Sequence, residues 1–200
     1  MDETRLSQQM AFIKEIDKEK KIGRQTYLSD ASRKENDAEH AWHMAIMAYL
    51  LAEYANEEID VLRTMIMLLI HDLVEIDAGD TYAYDEEGKK TQADREQKAA
   101  DRIFSMLPED QGKKLMEIWQ EFEARETKEA KFARTMDNIQ PLVLQHATNG
   151  KAWTEHQVAH SQVMGRNART AEGSDILWKY AYNQLITPHI GKELKDDREQ

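Results

Sequence analysis

Six consecutive apolar residues, Met65 to Ile70, run straight into His71 and Asp72, and Glu75, Asp77 and Asp80 follow closely. A stretch this apolar belongs in an interior, where an unpaired carboxylate is costly enough that it neutralises or finds a cation. The segment therefore puts polar chemistry at the centre of the folded chain. Around it the 3.6-residue apolar period returns between short polar breaks, with no internal repeat or linker and only 8 Gly and 3 Pro in 200 residues. That pattern predicts an all-α bundle of roughly seven to eight helices, formed by 1–200 as a single domain.

The first helix is expected to end near Lys21, followed by an irregular stretch, "IGRQTYLSDASRKEND", that carries Arg24 and Arg33. Asn36 or Asp37 is the expected N-cap of a second helix, "AEHAWHMAIMAYLLAEYA". The third, "EEIDVLRTMIMLLIHDLVEIDAG", should end at Gly79 and lie centrally, because its second half is apolar nearly all round. A polar loop, "DTYAYDEEGKKTQ", comes next and is long enough to suggest function. Further helices are expected over about 93–106, 109–123, 126–147, 155–169 and 171–186. Pro141 cannot give an N–H to the carbonyl of Asp137, so a kink is expected there.

Chemistry is narrowed by what the chain lacks. A net charge of -11 argues against tracking along a nucleic-acid polymer, which requires a basic stripe. With no cysteine, any metal must be held by His, Asp and Glu. The N-terminus has no signal-peptide pattern and no apolar run suits a membrane span, so a cytoplasmic protein is expected. His71 and Glu75 share a helical face, and Asp72 lies about 100° round from His71, near enough to converge on one ion. The same acids would equally suit a wet helix side with His71 in the core. A helix supplies only a couple of ligands at one point, so others must come from elsewhere. His40, His43 and Asp137 are the candidates, and periodicity leaves open which histidine points inward.

His40, the His71-Asp72 pair and Asp137 reproduce the H…HD…D order of the HD-domain metal-dependent phosphohydrolases. "NDAEHAWHMA", "IHDLVEIDAGDTYAYD" and "KFARTMDNIQP" extend the resemblance over roughly 22–153, towards the bacterial 5′-deoxynucleotidase and HD-domain-containing protein 2 branch. The resemblance implies that His40, His71, Asp72 and Asp137 ligate one divalent cation, with Mn, Co, Ni, Zn, Fe and Mg all chemically admissible. It further implies that Glu75 orients or deprotonates the attacking water, that Asp80 stands near sugar and water, and that Arg24 binds phosphate; Arg33 is a second candidate substrate ligand. His43 lies outside the signature and is read either as structural or as a support standing behind a ligand. Gln25 follows Arg24 where the characterised deoxynucleotidases carry tryptophan, and "HDLVEI" lacks the second acid of guanosine tetraphosphate hydrolases.

The implied activity is metal-dependent hydrolysis of a small phosphorylated molecule, a deoxyribonucleoside 5′-monophosphate above all. A phosphodiesterase, another phosphomonoesterase or a non-catalytic metal-stapled helical module are the alternatives. The C-terminal helices are expected to complete the bundle or form a homodimer face through Trp178, Ala181, Tyr182 and Leu185, which recur at helical spacing. Asp77 is read as a solvated or capping acid.

Overall fold

The computed structural model describes residues 3–198. Three helices carry the centre: α2 (Asp37–Leu51), α3 (Val61–Ile70) and α7 (Lys128–Ala147) pack on one another in every pairing, after α1 (Glu3–Ile16) has led into the chain. Their inward faces follow the apolar period, with Met44, Ala48, Met67, Leu68, Phe132, Ala133 and Met136 fully buried. A reciprocal box starts α2: Asn36 Oδ1 accepts from the N–H of Glu39 at 3.0 Å, and Glu39 accepts from the N–H of Asn36 at 3.1 Å. Asp60 caps α3 and Thr127 caps α7 in the same way, each side chain accepting an N–H three residues on.

The stretch read as irregular forms a small antiparallel hairpin, β1 (Gly23–Tyr27) and β2 (Lys34–Asn36), paired Gly23 to Asn36 and Tyr27 to Lys34. Its run of single polar residues carries too little alternation to announce strands. The long third helix is also divided: α3 stops at Ile70, a 3-10 turn spans His71–Val74, and α4 occupies Glu75–Ala78. A competing bond accounts for the break. The His71 ring donates from Nδ1 to the carbonyl of Leu68 at 2.8 Å, the acceptor an uninterrupted helix would offer to the N–H of Asp72. Gly79 then turns the chain at φ +75 and ψ 147, a conformation essentially reserved for glycine, as its expected end position requires.

The loop after Gly79 is shorter than anticipated, because Asp85 caps α5 (Glu86–Phe104) by accepting from the N–H groups of Glu87 and Gly88. After α5 come α6 (Glu109–Ala124) and then α7, which continues through Pro141. Beyond α7 the two long helices expected are instead α8 (Lys151–Glu155), α9 (His160–Arg166) and α10 (Asp175–Tyr180), the last continued by a wider π turn, Ala181–Ile186. Gln157 at φ +53 interrupts the first, and Ser174 caps α10 by accepting from the N–H of Leu177.

The Trp178 stripe faces inward. Ala181 and Leu185 are buried, and Trp178 and Tyr182 pack against the core, so this stripe is not the exposed face expected of a dimer contact. Large apolar side chains instead stand exposed on α2 and α3, including Trp42 (62%), Tyr49 (66%), Leu50 (62%) and Leu62 (67%). Among the described residues no helix is long and apolar enough to cross a membrane.

Candidate metal centre

Where α2, the 3-10 turn after α3, and α7 meet, two imidazoles converge. His40 is fully buried; its Nδ1–H donates to Gln140 Oε1 at 2.8 Å, and its Nε2 lies 3.3 Å from Asp137 Oδ1. His71 donates from Nδ1 to the Leu68 carbonyl, and its Nε2 lies 3.0 Å from Asp72 Oδ1. A carbonyl oxygen can only accept, so each neutral ring carries its proton on Nδ1 and turns a lone pair on Nε2 toward the carboxylates. That is the tautomer a metal-binding histidine needs, fixed by a hydrogen bond at the far nitrogen. His40, His71 and Asp72 offer ligand atoms that all lie within 4.8 Å of one another, and Asp137 joins them through His40. Two nitrogens and two carboxylates suit a borderline divalent cation.

Acid–base behaviour divides the carboxyls around this point. Burial disfavours charge on Asp137, but Arg166, the bond to His40 and Arg134 outweigh it and hold this carboxyl well below its ordinary range. The same contest at Asp72, settled by His71 and Arg24, also leaves it below that range. Glu75 goes the other way: burial, then the neighbouring charges of Asp72, Asp37 and Asp80, push it well above the ordinary value, and its Oε2 is buried without a partner. Asp37, the first residue of α2 and fully buried, is pushed up to about 7 by burial and Asp72. Two groups are thus kept as anions while Glu75 beside them holds protons readily, the division of labour that acid–base chemistry uses. Burial and the nearby charge of Arg24 together disfavour the His40 imidazolium and push it down to about 4, in spite of Asp137.

These groups open on a cavity of about 670 Å³ whose wall includes Arg24, His71, Asp72, Glu75, Asp80 and Asp137. Arg24, on β1, reaches Asp72 Oδ2 at 3.0 Å and Asp37 Oδ1 at 3.2 Å, with Glu35 at 3.6 Å. Asp80 arrives at the wall because Gly79 turns the chain back; burial raises its carboxyl, against the pull of Arg24. Arg33 is not brought here: it lies exposed, bonded at 2.8 Å to Glu39, the acid that already caps α2, and it is absent from the cavity wall. His43 accepts from Gln140 Nε2 at 3.2 Å, behind His40, in keeping with a structural part. Asp77 neither caps nor stands solvated alone, but pairs with Arg102 on α5 at 2.9 Å.

Sequence reasoning passed over Gln140, Asp37, Arg134 and Arg166. Gln140 anchors His40, and also donates to Glu35 Oε2 at 2.9 Å. Arg134 and Arg166 reach Asp137 Oδ2 at 3.1 and 3.0 Å. Three of the four had a signal: Asp37 stands three residues before His40, Arg134 three before Asp137 and Gln140 three after it, so each shares a helical face with a ligand candidate. Arg166 comes from a separate element and had none.

Comparison with known proteins places this arrangement among relatives. The model of the HD domain family matches residues 16–178. A 5′-deoxynucleotidase HDDC2 from Homo sapiens is 29% identical over 135 residues, covering 67% of this chain and 65% of the relative; its Mus musculus counterpart is 28% identical, covering 67% and 66%. The chain thus spans just under two thirds of the length of these curated relatives. A crystal structure of a predicted metal-dependent phosphohydrolase from Magnetospirillum magnetotacticum MS-1 is 51% identical, superposes with a TM-score of 0.86, and matches 90% of this chain and 91% of that one.

Proposed function

The chain belongs to the HD domain family, and from that premise we propose that it is a metal-dependent phosphohydrolase, a single domain that hydrolyses deoxyribonucleoside 5′-monophosphates to nucleoside and phosphate. One observation carries the reading: both histidines are anchored at Nδ1, their Nε2 atoms meet Asp72 and Asp137, and Glu75, with one carboxyl oxygen buried and unpartnered, stands beside them. The names of the human and mouse relatives supply the substrate class.

His40, His71, Asp72 and Asp137 would hold the cation. When bound, a divalent ion there supplies positive charge for the phosphoryl oxygens and acidifies a water. Glu75 takes the proton of the attacking water as the ester P–O bond breaks and returns it to the departing sugar oxygen; burial and the acids around it raise its affinity for that proton. Arg24 stabilises the charge developing on the phosphoryl group, and Asp80 accepts from a sugar hydroxyl. Arg33 plays no part, since its charge is spent on Glu39 outside the cavity.

The exposed apolar side chains of α2 and α3 support a homodimer through that face rather than through the Trp178 stripe. Phosphate release from deoxy- and ribonucleoside monophosphates and from phosphodiesters, measured over a panel of divalent metals, tests the activity. Glu75→Ala should abolish turnover while metal is still bound. Absence of release from every monoester in wild type overturns the reading.

A further inference from the structure

Beside the main cavity lies a smaller annex of about 160 Å³, and Arg125, Arg134 and Arg166 belong to the walls of both. Lys131, Arg169 and Glu172 complete the annex's charged lining. Five cations therefore gather at one place in a chain whose formal net charge is -11.

Three of the five have anionic partners. Arg134 meets Glu123 at 2.7 Å and Asp137 at 3.1 Å, Arg166 meets Asp137 at 3.0 Å, and Arg169 grips Glu172 with two bonds of 2.8 Å. Arg125 and Lys131 have none in contact: among the described residues neither side chain donates a hydrogen bond or enters an ion pair, and Glu172 and Glu123 act on them only from a distance. Donors facing a cavity with nothing to receive them mark a place built for an acceptor-rich ligand.

The backbone at Arg125 points the same way. This residue ends α6 in the left-handed region, φ +58 and ψ 32, where glycine would sit without strain and a side chain crowds the following carbonyl. The strain is borne by a residue that lines both cavities and whose side chain makes no ion pair, and such strain clusters at binding sites. Crowding by Arg134 and Arg166 also makes the charge of Arg125 harder to carry, after burial, than that of an isolated arginine.

Building on the phosphohydrolase reading, we propose that the annex is a second anion subsite, in which Arg125 and Lys131, backed by Arg134 and Arg166, hold a second phosphate of the same substrate. The preferred substrate class is thus a phosphomonoester carrying two phosphates, one at the His40–His71–Asp72–Asp137 cluster and one in the annex. Joining the two anionic groups in one molecule makes the second contact intramolecular, so the gain in affinity exceeds what either group achieves alone.

The test compares deoxyadenosine 5′-monophosphate with deoxyadenosine 3′,5′-bisphosphate on the full, metal-loaded chain. Binding is read by calorimetry in a Glu75→Gln background, which keeps turnover from intruding, and kcat/KM is read with Glu75 intact. In otherwise unaltered protein the bisphosphate should bind about tenfold or more tightly than the monophosphate. Arg125→Gly should collapse that preference to within about twofold, and Lys131→Gln should reduce it, while the melting temperature of Arg125→Gly equals or exceeds that of wild type because the strain is relieved. A monophosphate that is hydrolysed with no preference for the bisphosphate overturns the annex and leaves the phosphohydrolase standing. A bisphosphate bound through Arg125 with no phosphate released from any monoester keeps the annex and removes the enzyme. Inorganic phosphate bound through Arg125 without any bisphosphate preference also overturns the proposal, as does a preference that survives both substitutions.

Discussion

Gln140→Met tests whether the metal centre depends on the partner behind His40. Gln140 is fully buried, and its amide serves three groups at once: Oε1 accepts from His40 Nδ1–H at 2.8 Å, and Nε2 donates to Glu35 Oε2 at 2.9 Å and to His43 Nδ1 at 3.2 Å. Methionine keeps the length and nearly the volume but provides none of these bonds. Loss of the partner behind a ligating imidazole typically weakens metal binding about 10- to 100-fold, or about 1.4–2.7 kcal/mol. The His40 Nδ1–H left without its acceptor and the Glu35 Oε2 left without its donor should also cost the metal-free protein about 2–4 kcal/mol. Competition with a chromophoric chelator gives the metal affinity, and melting in chelator and in saturating metal separates the two effects. The gap between the two melting temperatures should shrink, because weaker binding stabilises the fold less. Gln140→Glu restores the acceptor for His40 but sets a second carboxyl against Glu35, itself pushed up to about 7 by burial, so it should rescue only partly. If Gln140→Met melts lower yet binds metal within about twofold of wild type, Gln140 is packing alone and the reasoning about the anchored tautomer is wrong.

Three further outcomes are expected. Glu19 is buried, its Oε1 has no partner, and burial together with Asp72 and Asp37 pushes its carboxyl up to about 8; the folded state then binds a proton more tightly than the unfolded one, so this group's contribution is full below the unfolded value near 4.5 and is lost as pH rises to about 8. Glu19→Gln should accordingly leave stability unchanged at pH 4 and raise it at pH 8.5 by on the order of 4 kcal/mol in chelator, and equal gains at both pH values in denaturant titrations would refute the assignment. Arg33→Ala should leave kcat/KM within about twofold and stability within about 1 kcal/mol, since it removes an exposed pair, whereas a tenfold loss of activity would return Arg33 to the substrate. Tyr49→Glu combined with Leu50→Glu should yield a monomer by light scattering, and an unchanged mass would move the dimer contact elsewhere or remove it.

Legibility in the sequence followed the kind of information each feature uses. The helical interior was readable because Met44 and Ala48 on α2, and Phe132, Ala133 and Met136 on α7, recur at the three- and four-residue spacing of a buried face. The all-α class, the caps at Asn36 and Gly79, and the residues that meet at the cluster were likewise local patterns, the last aided by a family resemblance. What escaped depends on partners far along the chain. The break at His71 arises from a side chain competing for a backbone carbonyl, and periodicity is blind to that. Arg33 and Arg24 look alike in sequence; only the pairing of β1 with β2 turns one toward Asp72 and leaves the other with Glu39. Arg166 reaches Asp137 across 29 residues with no periodic clue. The Trp178 stripe recurs at helical spacing whether it faces a core or a partner, and the surrounding helices decide which.

His40 and Asp137 stand 97 residues apart in the chain, and His71 and Asp72 lie between them on a third element. A ligand gripping all of them would tie together the segments that must separate when the core opens, so it could not be shed by fraying one helix. Departure of the ion and loss of the fold would then be one event seen twice. Amide hydrogens of α2, α3 and α7 should exchange with a common opening energy that climbs with the logarithm of free metal concentration, while the hairpin edge and α1 exchange independently of it.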